Sequence, residues 1–394
     1  MRSALREPVL DYGERRRAVR ERPRVVPNII NQGSIDYTVC FVTVVLVLVG
    51  VVMIFSAGFH NAATRSEFGY NMFHFLQRQS LFAGIGLLVM LFMSRVPYRL
   101  LLRTGWPLYI ASGVMLIYVA LFGRAVGGAQ RWMNLPLIGR FQPSEITKVA
   151  VILVLSSIIF FKKDILDTWK GFLYLSGIVG VAAGLVLVGN LSTAIIVGII
   201  GMSIIFVASP HVGRFIAIGG AAVGVLVSYI GFFAQDFRGA RFDAWLRPFD
   251  FPQGVGYQTI QSLYAIASGG IFGLGIGQSR QKSFLPEPHN DMIFAIISEE
   301  LGFAGAVFIL ALFAILIWRG IKIAMNATDL FGALVATGIV VMIAGQAIIN
   351  VAVVTNSIPN TGIPMPFISY GGTSLLVTMF LIGVLLNISR YHRA

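Results

Sequence analysis

Charge is what this sequence has least of. Only 12% of its 394 residues are Asp, Glu, Lys or Arg, against about a quarter in ordinary soluble domains. The acidic residues number 17 against 30 basic ones. A single cysteine, Cys40, excludes a disulfide framework and a cysteine-based metal site. The five histidines are scattered without metal-ligand spacing. There is no GxxxxGK[ST] loop, and the glycines near 269–277 do not sit in a strand–turn–helix setting, which argues against ATP-driven transport. No short apolar core with a cleavage site directly follows the polar N-terminal residues, so they are not a secretory signal. No stretch long enough for a large soluble domain is free of apolar runs.

Those runs are what the chain consists of. Hydrophobic residues make up 56% of it, and the mean hydropathy is +0.80. A bilayer core about 30 Å thick takes roughly 20 apolar residues per helix. Apolar runs near 37–57, 74–94, 105–122, 144–162, 170–189, 191–208, 213–234, 292–318, 329–353 and 371–389 therefore predict an all-α polytopic membrane protein of about ten transmembrane helices. Residues 1–35 form an arginine-rich cytoplasmic tail, expected to be mobile, and 36–394 a single transmembrane domain. The net charge of +13 suits basic loops beside anionic lipid, and the spread of the basic residues over both sides argues against nucleic acid.

With that span count, the N-terminal tail and the basic clusters at 95–103, 162–170, 211–214, 318–326 and 390–393 fall on one side. The positive-inside rule makes that side the cytoplasm and puts both termini there. Residues 235–291 become one long extracytoplasmic loop between spans seven and eight. Within it 257–278 is apolar but glycine-rich and dotted with polar residues, which suits a re-entrant or interfacial segment better than a span. Arg124, Arg131, Arg140, Arg238, Arg241, Arg247, Arg280 and Lys282 all fall outside against the rule. Headgroup solvation accounts for any one of them; together they point to a polyanionic lipid substrate.

Three segments carry groups able to do chemistry. In 277–303, Asp291 stands where polar loop gives way to an apolar helix. A carboxylate there meets partial desolvation, which raises its pKa, and helix N-terminal amides, which lower it. It reads either as a general base or as a helix N-cap. Glu299 and Glu300 lie roughly 12–14 Å further along the helix, where they line a proton path or make structural ion pairs. In 127–150, Pro143 and Ser144 give helix-start chemistry, and Glu145 and Lys148 share a face. They are a local ion pair, or Lys148 and Arg131 face a cavity and hold diphosphate oxygens. In 355–374, Pro359, Pro364 and Pro366 with Gly362, Gly371 and Gly372 preclude helix. Irregular backbone at membrane depth persists only where protein or a wet cavity covers it. Ser369, Tyr370, Thr373 and Ser374 either bind sugar or phosphate or only satisfy that turn.

Four motifs then resemble the SEDS family of FtsW, RodA and SpoVE: GGAQRWMNLPLIGRFQPSEITK, LRPFDFPQGVGYQTIQSLYAIASGGIFGLGIGQSRQK, LPEPHNDMIFAIISEELGF and TGIPMPFISYGGTSLL. The likeness runs from about Asp36 to the C-terminus and leans to the FtsW/SpoVE branch. It implies an inverting peptidoglycan glycosyltransferase of the bacterial inner membrane that polymerises lipid II at the division septum, with its active site on the extracytoplasmic side. Asp291 matches the family's essential aspartate and is implied as general base on the acceptor 4-hydroxyl, with polyprenyl diphosphate leaving. Arg131, Lys148, Arg241 and Lys282 are the cations expected to stabilise that diphosphate. Gln142, Ser144, Glu145, Glu287, His289, Ser369 and Tyr370 complete the expected substrate contacts.

The resemblance leaves a divalent cation, Mg or Mn, and its ligands open, and implies no nucleotide, haem or flavin. It implies as partners a class B penicillin-binding protein, other division proteins, lipid II, the polyprenyl-diphosphate-linked glycan and membrane lipid. Two positions depart from the family pattern. Asn290 replaces the usual Thr before the aspartate. Gly189-Asn190-Leu191-Ser192-Thr193 replaces Pro-Asp-Leu-Gly-Thr, so the carboxylate there is missing. A lipid II flippase, or an inactive scaffold for the transpeptidase, are the alternative functions.

Overall fold

A computed structural model describes residues 33–391, except 65, 67–68, 127–128, 136–138, 218, 221–223, 225–227, 229–242 and 255. Among the described residues, nine helices are long and apolar enough to cross a membrane. They are α1 (Tyr37–Thr64), α2 (His74–Met93), α3 (Gly105–Phe122), α4 (Pro143–Phe161), α5 (Trp169–Leu187), α6 (Leu191–Ala208), α8 (Ile293–Asn326), α9 (Leu330–Val354) and α10 (Gly372–Arg390). The expected span over 213–234, the tail over 1–35 and Arg241 lie largely or wholly outside the described residues.

The apolar runs become helices because their backbone groups must bond internally in lipid. Their packing sorts them. Along α4, 78% of the apolar window is buried, against 17% along α3, so α4 is the bundle's centre and α3 its rim. The helix pairs α2/α10, α3/α4, α5/α6 and α8/α9 lie side by side.

The expectation of an all-α chain needs one addition. Between α3 and α4 the chain forms a small antiparallel sheet of β1 (Arg124–Val126), β2 (Ala129–Leu135) and β3 (Gly139–Phe141), in the order β1-β2-β3. β2 pairs with both neighbours, Trp132 opposite Arg124 and Met133 opposite Phe141. Strands this short leave no readable alternation, and turn residues interrupt them.

The segment after residue 243 yields α7 (Tyr257–Gly269), a helix of 13 residues, well short of the roughly 20 needed to span. The glycine-rich stretch beyond α7 inserts against a break in α8. Gly302 has φ 69° and ψ −169° inside that helix, a conformation essentially restricted to glycine. The backbone groups freed there bond to the inserted stretch: Leu274 and Gly275 donate to the carbonyls of Glu299 and Glu300 at 2.9 and 3.0 Å, and Phe303 and Ala304 donate to Gly270 and Ile271 at 2.9 Å. A Cβ on Gly273 would come within 2.1 Å of the Glu300 carbonyl oxygen. Only a bare backbone fits, which is the physical use of glycine here.

Just above the break, Glu299 and Glu300 are both fully buried. Ser56 of α1 donates to Glu300 at 2.6 and 2.7 Å. Ser279 Oγ and the Arg280 N–H donate to Glu299 at 2.5 and 3.0 Å, and Lys282 Nζ stands 3.8 Å from Glu300. Of the two expected roles, the geometry displays the structural one: the pair pins residues 279–282 to α8 and α1.

The far end of the bundle has its own lock. Asp329 caps α9 by accepting from the Gly332 N–H at 2.8 Å, and also receives the Tyr98 hydroxyl at 2.7 Å and Arg99 Nε at 2.9 Å. Asp36 pairs with Arg319 at 2.7 Å.

Candidate functional site

At the other end, the turn 287–292 leads into α8. The helix begins at Ile293 with Met292 in the cap position and no side-chain cap bond. Asp291 is therefore not the N-cap, and that alternative reading is corrected: the chain reaches helical geometry two residues after it. The turn is fixed from several directions. The Asn290 N–H donates to the Glu287 carbonyl at 3.1 Å, and the Asn290 amide also bonds the Glu287 carboxylate. The Asn290 side chain thus holds its own turn. Ser369 Oγ donates to the Asn290 carbonyl and accepts from the Met365 N–H, both at 2.7 Å. The Tyr370 N–H donates to the His289 carbonyl at 2.8 Å. Asn350 Nδ2, from α9, donates to the Asp291 carbonyl at 2.8 Å and to the Ile363 carbonyl at 2.9 Å.

The irregular segment 355–371 thus wraps around the aspartate's turn. It brings Gly362 against two side chains: a Cβ built there would stand 3.4 Å from Arg131 Nη1 and 3.7 Å from Asp291 Oδ2. The carboxylate from the α8 turn and the guanidinium from β2 meet at this exposed glycine. Burial pushes the Arg131 guanidinium below its ordinary pKa, and the carboxylates of Asp291 and Glu287 push it back up. Arg131 Nε is buried without a hydrogen-bond partner.

The remaining sequence-derived candidates separate into groups. Arg131 also lines a cleft with Gln142, Ser144, Val119, Val186 and Asn190. Ser144 Oγ there has no partner. α4 starts at Pro143, with Gln142 in the cap position. Lys148 is 1% exposed and 2.9 Å from Glu145 Oε1, so the ion-pair reading holds and its charge is already met inside α4. Glu145 Oε2 is buried without a partner. Asn190 caps α6 by accepting from the N–H groups of Ser192 and Thr193 at 3.0 and 3.1 Å.

Lys282 donates to the Gly277 carbonyl at 2.5 Å and lies by Glu300, engaged by its own loop. His289 packs between rings, 4.2 Å from Phe75 and 5.5 Å from Tyr370 by centroid, so it backs the aspartate's turn. Glu287 is exposed. Among the described residues no group of three His, Cys, Asp or Glu side chains is placed to hold a metal ion.

Sequence reasoning missed Asn350 and Gly362. The first had a signal, an amide side chain in an apolar span that also holds Gln346, and in lipid such a group normally marks an interhelical bond. The second had none, because nothing local tells which glycine of an irregular segment will face a site.

A family model described as a cell cycle protein, FtsW/RodA/SpoVE, matches residues 37–394. The chain belongs to this family. Stage V sporulation protein E of Bacillus subtilis (strain 168) is 40% identical over 368 residues, 91% of this chain and 98% of that one. The probable peptidoglycan glycosyltransferase FtsW of Trichlorobacter lovleyi is 38% identical over 359 residues, 90% and 93% of the two chains. Among solved structures, a chain from work on polymerization and crosslinking by a peptidoglycan synthase complex superposes with a TM-score of 0.75 at 26% identity, covering 90% of this chain and 98% of that one. The rod shape determining protein RodA of Thermus thermophilus gives 0.66 at 26% identity, with 91% and 98% covered. These FtsW/RodA/SpoVE relatives span nearly the whole chain, so the bundle and its Asp291 end belong to the family fold.

Proposed function

We propose that the chain is a peptidoglycan glycosyltransferase that polymerises lipid II into glycan strands, with Asp291 as general base. The carrying observation is the convergence of Asp291 and Arg131 at the exposed Gly362. Asp291 would take the proton from the acceptor 4-hydroxyl as that oxygen attacks the anomeric carbon of the growing chain. The glycosidic bond forms, the bond to polyprenyl diphosphate breaks, and the leaving diphosphate gathers negative charge. Arg131 is the cation positioned to meet it, with Ser144 and Gln142 on the wall of the adjoining cleft. Lys148 acts through Glu145 by shaping the start of α4 rather than by touching phosphate. Mg or Mn would join as a partner of the diphosphate, since such ions are commonly held by one or two carboxylates plus substrate phosphates.

The positive-inside rule supports placing this end of the bundle outside the cytoplasm. The likeness to a chain of a peptidoglycan synthase complex supports a class B penicillin-binding protein as partner. The FtsW relatives support septal synthesis, and the SpoVE relative a sporulation variant of the same chemistry.

The test is glycan polymerisation from labelled lipid II by the purified protein with its cognate transpeptidase, wild type against Asp291→Ala. Loss of polymer with folding and complex intact supports the assignment, and undiminished polymer removes it. A wild type silent with every metal tried moves the weight to a flippase or scaffold.

A further inference from the structure

We propose that Asn350 is the positioning residue of this site, holding Asp291 at its working distance from Arg131. The inference rests on the reading of Asp291 as the base. Asn350 sits near the end of α9 and is 1% exposed. Its amide gives one hydrogen to the Asp291 carbonyl at 2.8 Å and one to the Ile363 carbonyl at 2.9 Å. These carbonyls belong to the two irregular segments that face each other across the site. Asp291 lies just outside α8, and Ile363 follows Gly362, the residue the carboxylate and guanidinium both approach.

Neither carbonyl belongs to a helix, and a buried backbone acceptor needs a donor from somewhere. A planar amide can serve both at once because its two hydrogens diverge at a fixed angle. Serine or threonine offers one hydrogen. Leucine offers none, with nearly the same shape. Glutamine carries the fork one carbon too far. The residue type at 350 therefore sets how far apart the two segments stand. It acts on the reacting groups through the backbone and touches no substrate atom.

Ser369 adds a parallel bond from the same segment to the Asn290 carbonyl, one residue before the base. That second bond is the reason for expecting Asn350 variants to fold while losing alignment: the turn stays attached but regains freedom at Asp291.

The experiment compares wild type, Asn350→Ser and Asn350→Leu, each purified with its transpeptidase. Polymerisation is followed against lipid II concentration and pH, and each variant's thermal unfolding is recorded. Misplacing a reacting group by about 1 Å costs on the order of 10²-fold in rate. Asn350→Leu is expected to lose kcat on that scale with KM for lipid II little changed, and Asn350→Ser, whose hydroxyl stops one bond short of the amide nitrogen's position, to lose it as well. The acidic limb of the kcat/KM profile is expected to shift in Asn350→Leu, a change that mere loss of folded protein would not produce. Wild-type kcat and an unshifted profile in either folded variant would overturn the proposal. If Asn350→Leu does not fold, the Asn350→Ser protein decides by the same criteria. An inactive wild type would instead count against the polymerase reading itself.

Discussion

Replacing Gly362 by alanine tests the site with a single methyl group. The new carbon would stand 3.4 Å from Arg131 Nη1 and 3.7 Å from Asp291 Oδ2. These are contact distances, so the backbone need not move. Gly362 is exposed and is not among the glycines with positive φ. The fold should therefore tolerate the change, and lost freedom of the unfolded chain contributes about 0.4–1 kcal/mol in its favour. The methyl nevertheless fills the space where an acceptor hydroxyl would have to reach the carboxylate while a diphosphate oxygen reaches the guanidinium. Displacing the attacking oxygen by about 1 Å predicts a rate loss on the order of 10²-fold, or about 2.7 kcal/mol in the barrier. The assay is polymerisation of labelled lipid II with the transpeptidase present, alongside a thermal melt in the same detergent. An unchanged or raised melting temperature with a rate down by that factor is the expected pair of results. A folded Gly362→Ala protein that polymerises at the wild-type rate would refute the placement of the chemistry between Asp291 and Arg131.

Two other perturbations read the scaffold. Ser56→Ala removes the donor that reaches both oxygens of the fully buried Glu300; leaving a buried acceptor without its donor costs about 1–3 kcal/mol. The melt should fall accordingly, and should fall less in Glu300→Leu/Ser56→Ala than the two single losses added together, because leucine accepts no bond and the two sites share one; strict additivity would show that the bond carries no energy. Gly302→Ala forces a side chain onto a backbone at φ 69°, with its Cβ only 2.3 Å from Gly273 N. Strain there costs about 1–3 kcal/mol before the clash is counted, so a sharp drop in folded yield is expected, and normal yield would contradict the kink's geometry.

The spans were legible because a bilayer demands long apolar runs, and 191–208 and 105–122 match their helices residue for residue. α8 runs on to Asn326, past the expected end at 318, because the polar residues Arg319 and Lys322 sit on a helix that continues, Arg319 toward Asp36 and Lys322 over the Trp318 ring. The small sheet at 124–141 was not legible, since strands this short are set by pairing rather than by period. At the site, Asp291 and Arg131 were visible as charges in unusual places. Their meeting point was not, because it depends on how 355–371 folds back over the 287–292 turn. Lys148 and Lys282 stand after Arg131 among the candidate cations in the sequence; burial and partners are what take them away from the site.

The buried Glu299–Glu300 pair also bears on the order in which the protein is made. A carboxylate entering the bilayer alone costs several kcal/mol. Among the described residues, the side chains and backbone groups that receive this pair, from Ser56 on α1 to Lys282, precede it in the chain. They are synthesised and available for membrane insertion before α8 arrives, so the helix that carries the pair enters a bilayer where its partners already wait. Asn350, Gly362 and Ser369 come afterwards. The scaffold can therefore settle during translation, while Asp291 acquires its final surroundings only when the last two helices have joined.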